Sequence, residues 1–146
     1  MELWKAQREY RLLATRLRKS APAGDVLQAE EQVLVSLGTG EKLTTELGVL
    51  RAALRSTGSR MRKLRQALGN SALRHRLGRV LEPSVLSEAL AAQGFHALAT
   101  LVAGLEHELR HFERRIAEVQ ARIRRQEALA EEALERLRRL FMRYAQ

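Results

Sequence analysis

From about Phe95 to Tyr144, apolar residues recur alternately three and four positions apart. With Leu109 set as position a of a heptad, the a positions are Val102, Leu109, Ile116, Ile123, Ala130, Leu137 and Tyr144. The d positions are Leu98, Leu105, Phe112, Val119, Gln126, Ala133 and Leu140, so Gln126 alone departs from an apolar or aromatic seam. A repeat of 3.5 residues kept over this length is the pattern of a coiled coil. At 1.5 Å per residue it predicts a helix over 96–145 of about 75 Å.

A second series runs from about Asp25 to Leu68, with Val26, Val33, Gly40, Leu47, Leu54, Met61 and Leu68 at a. Ala29, Ser36, Leu43, Leu50, Thr57 and Leu64 fill d. It predicts a helix over 25–68. Gly38 and Gly40 weaken the helix there and leave open whether it is broken or kinked near them. The Gly38-Thr39-Gly40-Glu41-Lys42 run lacks the GxxxxGK spacing of a phosphate-binding loop and sits between apolar heptads.

Ahead of these, Leu3, Ala6, Tyr10, Leu13 and Leu17 keep helical spacing and predict a short helix over 2–19, closed by Pro22 and Gly24. Residues 69–95 interrupt the seam with Gly69-Asn70-Ser71, Pro83 and Gly94, and predict a tip of two short helices, about 72–81 and 85–92. The fold class that follows is all-α in one domain over 1–146. It is a long antiparallel coiled-coil helical hairpin with a short N-terminal third helix and a helical tip.

A register in which facing a and d residue numbers sum to 166 tests this arrangement. It sets Leu68 against Leu98, Leu50 against Ile116 and Val33 against Ala133, and gathers the small or polar residues Gly40, Ser36, Gln126 and Ala130 into one thin stretch. Flanking positions then offer Asp25 with Arg143, Glu46 with Arg122, Arg60 with Glu108 and Arg51 with Glu113. Around the thin stretch, Leu27, Leu34, Leu37, Leu134 and Phe141 widen the apolar stripe enough to want a third helix. The first helix is expected to cover them, with Trp4, Tyr10 and Leu13 filling the gap.

Composition narrows the chemistry. The chain has no Cys, which removes disulfides, thiolate metal sites and thiol nucleophiles. The basic N-terminal twenty residues lack an apolar core and do not read as a secretory signal. No run approaches the ~20 apolar residues of a membrane span. A cytoplasmic protein without cofactor is the expectation.

One motif matches zinc-peptidase chemistry: His107-Glu108-Leu109-Arg110-His111 has the H-E-x-x-H spacing. In such enzymes two His one helical turn apart hold the metal and the Glu acts as general base. Here the seam takes Leu109 and Phe112, which turns His107 and His111 outward at heptad positions f and c. A third ligand on the same straight helix would point away, so a metal site at His107, Glu108 and His111 is rejected. Nothing else resembles a catalytic set, and a non-enzymatic protein is expected.

Charge is distributed unevenly. The net charge is +9, and residues 51–80 hold nine Arg or Lys with no acid. Pairing Arg51 and Arg60 across the hairpin still leaves Arg55, Arg62, Lys63, Arg74, Arg76 and Arg79 as a candidate site for an acidic partner or a polyanion. No aromatic residue is interleaved for base stacking, and no DNA-reading motif is present.

The expected function is therefore a coiled-coil interaction protein: an adaptor, stalk or assembly subunit that engages other proteins, acidic or helical, or a second copy of itself. The alternative is a nucleic-acid-binding or nucleoid-associated protein using 51–80. In outline, a small basic antiparallel coiled coil of this length is similar to the stalk proteins of flagellar and type III export machines. That resemblance, one of architecture without a shared motif, implies a place in a secretion apparatus.

Overall fold

The computed structural model describes residues 2–19, 23–69 and 86–144, and those residues are all-α. Helix α1 spans Leu3–Leu17, α2 Ala23–Gly69, α3 Leu86–Ala92 and α4 His96–Tyr144. The tip helix expected near 72–81 lies outside the described residues. At Gly38–Gly40, where the sequence leaves the helix open to a break, α2 continues through both glycines. Within this stretch the Thr44 hydroxyl donates back to the Gly40 carbonyl at 2.8 Å.

The heptad phase read from the sequence is the phase that is buried. None of the a and d residues of the two long helices is exposed, and Val33, Val102, Val119, Ala130, Ala133 and Leu137 are fully enclosed. Each fully buried Leu or Val contributes roughly 1.5–3 kcal/mol, so this stripe supplies most of what holds the helices in place.

The chain divides into two compact units, 1–48 with 117–146, and 49–116. In the first, α1, the N-terminal part of α2 and the C-terminal part of α4 share one core. Ala6, Tyr10, Ala14 and Leu17 of α1 pack with Val26, Ala29 and Val33 and with Ala130, Ala133, Leu134 and Leu137. Alanines on all three helices let the backbones approach closely. Leu3 lies over Gly40, in the space a Cβ there would need.

This core corrects part of the sequence expectation. Leu37, Leu134 and Phe141 do pack beneath α1, with Tyr10 and Leu13. Leu27 and Leu34 remain 62% and 52% exposed, and Trp4 remains 58% exposed. The reason is angular. Leu37, Leu134 and Phe141 occupy e positions, about 40° from a on the helical wheel, whereas Leu27 and Leu34 occupy b, about 100° away. One helix laid beside the seam covers the nearer flank only.

Polar contacts fix how α1 lies. Arg138 donates through Nη2 to Glu9 at 2.7 Å and through Nε to the other Glu9 oxygen, while its Nη1 donates to Glu131 and Glu135 at 2.7 and 3.1 Å. The Glu30 carboxylate, 7% exposed, stands 3.4 Å from Arg18 Nε, an ion pair without hydrogen-bond geometry. Burial, with the Glu30 charge beside it, pushes the Tyr10 phenol above its ordinary value.

In the second unit, Met61 and Leu68 of α2, Leu86 and Leu90 of α3, and Ala99, Val102 and Leu105 of α4 form a separate core. The chain passes from α3 into α4 through Gly94, whose φ of +86° places it in the left-handed region. Phe95 N–H donates to the Leu90 carbonyl at 2.9 Å and Gly94 N–H to that of Ala91 at 3.0 Å. These are the two bonds of a Schellman cap. Phe95 then accepts from Ala99 N–H and starts α4.

Candidate interaction surfaces

Three surfaces carry the candidate chemistry, and the first is the basic side of α2 in the second unit. Arg55 and Arg62, both at b, and Lys63 at c are exposed on one side of that helix. Ser59, Arg65 and Gln66 adjoin Arg62 and Lys63 around a shallow depression. Arg65 is half-buried, and its Nε is enclosed without a hydrogen-bond partner. Arg74, Arg76 and Arg79 lie outside the described residues. The arrangement offers point charges on a convex helix surface, which attracts phosphates or carboxylates without reading any sequence.

The second is the histidine pair. His107 and His111 are both exposed, as their heptad positions require. Glu108, the residue a peptidase would use as base, accepts a hydrogen bond from the buried Thr57 hydroxyl at 3.3 Å. Among the described residues, no three His, Asp or Glu side chains gather closely enough to hold a metal ion. His111 instead stacks at a tilt against Phe112, with ring centroids 5.7 Å apart.

The third follows from the residues that α1 leaves uncovered. A groove of about 700 Å³ opens in the first unit, lined by Trp4, Gln7 and Arg11 of α1, by Leu34, Gly38 and Glu41 of α2, and on its floor by Leu37 and Ile123. The Trp4 indole donates to Glu2 at 2.5 Å at the outer end, with the Lys5 ammonium 5.6 Å from its ring centroid. Leu34 at a b position was the available signal. A large apolar residue 100° off the seam is either covered by a further helix or left for a partner.

No helix among the described residues is long and apolar enough to cross a membrane. Compared with protein-family models, curated proteins and solved structures, the chain matches none.

Proposed function

We propose that the chain is a non-enzymatic interaction protein, an adaptor, stalk or assembly subunit built as a coiled-coil hairpin, which works by presenting helical faces to other proteins. The observation that carries this reading is the apolar groove beside α1. Trp4 and Leu34 are large, more than half exposed and line one groove, and contiguous exposed apolar surface rimmed by polar residues is the mark of a contact site. A groove between two helices accepts a third helix by its apolar stripe. The test is a photo-reactive amino acid placed at Leu34 in cells, with Arg124 on an exposed stretch of α4 as the control position. The reading expects discrete protein adducts from Leu34 and none from Arg124. Equal labelling from both positions would sink it.

A second reading rests on a separate observation, the exposed Arg55, Arg62 and Lys63. They suit a polyanion, and nucleic acid is the abundant one. Binding to duplex DNA should then weaken as a power of salt concentration, with a slope of about 0.9 per phosphate contacted. Reversing Arg55 and Arg62 to Glu should flatten that slope. A slope unchanged by the reversal would assign the binding to other residues.

A further inference from the structure

The outward face of α1 is as one-sided in charge as its inner face is apolar. Ala6, Tyr10, Ala14 and Leu17 point into the core, and at 100° per residue the opposite direction falls between Arg8 and Leu12. Trp4, Lys5 and Thr15 stand to either side, with Arg11 and Arg16 at the edges, and all of these side chains are exposed. Leu12 is 61% exposed and Trp4 58%. Every ionic side chain on this face is a cation. Glu9, the only acid within α1, is turned inward onto Arg138, and Glu2, just ahead of the helix, accepts from the Trp4 indole.

We infer that this face docks the protein on an anionic lipid bilayer. The helix of 15 residues, about 22 Å, lies along the headgroups, with Trp4 and Leu12 reaching toward the acyl chains and Lys5, Arg8, Arg11 and Arg16 among the lipid phosphates. Two large apolar side chains set among four cations call for a surface that offers anions and an apolar medium together. A nucleic acid offers phosphates on its outside, but nothing there suits the aliphatic Leu12. The boundary between headgroups and acyl chains supplies both. An indole fits that boundary, being apolar over its rings and polar at its N–H. Lys and Arg can bury their stems there while their charged ends stay wet. Clusters of about four to eight such cations on an amphipathic helix hold proteins to anionic lipid.

The face is also ready-made. The core beneath α1 and the Glu9–Arg138 fork hold it as a helix before it meets a surface, so docking orders side chains only. Arg8 and Leu12, at its centre, take no part in lining the groove beside α1. Membrane docking is therefore independent of what fills that groove.

Flotation of the full chain with vesicles tests this, read together with the emission of Trp4, the single tryptophan. Vesicles of equal parts phosphatidylcholine and phosphatidylglycerol should carry the protein up, and phosphatidylcholine alone should not. Trp4 emission should move to shorter wavelength and be quenched by lipids brominated on their acyl chains. Raising salt from 0.1 to 1 M, which shortens the screening length from about 10 to 3 Å, should release most of the protein. Lys5→Glu with Arg8→Glu should weaken binding roughly tenfold or more, and Leu12→Ala roughly fivefold. These residues are exposed, so circular dichroism should show unchanged helix content. Protein that stays below both kinds of vesicle overturns the proposal, as does equal flotation with neutral lipid. Flotation without quenching of Trp4 does so too. If the α1 reversals change nothing while reversing Arg55 and Arg62 releases the protein, the bilayer contact belongs to α2 and not to this face. Duplex DNA that moves Trp4 emission as far as the vesicles do, and loses that effect in Leu12→Ala, would make the face one for nucleic acid instead.

Discussion

Arg138 on α4 grips Glu9 on α1 with two edges of its guanidinium, Nε on one carboxylate oxygen and Nη2 on the other. The residues are far apart in sequence, and this fork ties the first helix to the last. The hydrogen bonds from Arg138 hold the Glu9 carboxyl below its ordinary value of 4.5, against a smaller opposing effect of burial. A carboxyl lowered by folding contributes stability above its unfolded pKa and loses it as pH falls through the folded one. Stability should therefore be level from neutrality down to about pH 5 and then decline. Glu9→Gln should remove part of that decline and cost roughly 1 kcal/mol at pH 7, since both side chains are about a third exposed. Urea unfolding at pH 7 and pH 3 measures both.

The Leu3–Gly40 contact predicts a coupling. Glycine in a helix interior costs about 1 kcal/mol against alanine. In the native chain Gly40→Ala should recover only part of this, because the new methyl must displace the Leu3 side chain. In a Leu3→Ala background the full ~1 kcal/mol should appear. A double-mutant cycle by chemical denaturation reads the difference. Strict additivity would mean that Leu3 does not occupy that space.

Gly94 has a positive φ that an L side chain adopts at a cost of about 1–2 kcal/mol. Gly94→Ala should lower stability by that amount although its Cβ would meet nothing within 4 Å. Gly94→Asn should cost less, since Asn tolerates this conformation better. Thermal unfolding of the two variants distinguishes conformational strain from loss of packing.

The register expected from the heptads, with facing residue numbers summing to 166, sets Leu50 against Ile116. Both are half-buried. Cysteines at the two positions should form an intramolecular disulfide on mild oxidation at high dilution, seen as a shift in non-reducing electrophoresis. Products of double mass alone would mean that the helices pair between chains.

Much of this was legible in the chain because heptad spacing fixes a phase, and phase fixes burial. Positions such as Val33, Met61, Val102 and Val119 could be assigned to the core from spacing alone. The turn into α4 was legible too, through Gly94. What escaped was anything that depends on how far sideways α1 reaches. Trp4 and Leu34 look like core residues by type, and only the angle between b and e shows that a single helix leaves them bare. The Glu9–Arg138 fork left no trace in local spacing, because each residue separately reads as an ordinary solvated charge. The candidate basic face was visible as composition, and its described members Arg55, Arg62 and Lys63 are indeed exposed.

A periodic surface has a weakness as a ruler: every seventh residue looks alike, and a helix laid along it could settle at several positions with nearly equal energy. Gly40 removes that degeneracy. It is the only glycine at an a position of α2, and the end of α1 rests on it. A slip of one heptad would carry Leu3 onto Val33 or Leu47, where a branched side chain already fills the space. One missing side chain thus serves as the origin mark of a repeating scale, and a residue that looks like a flaw in the seam tells α1 where to stop.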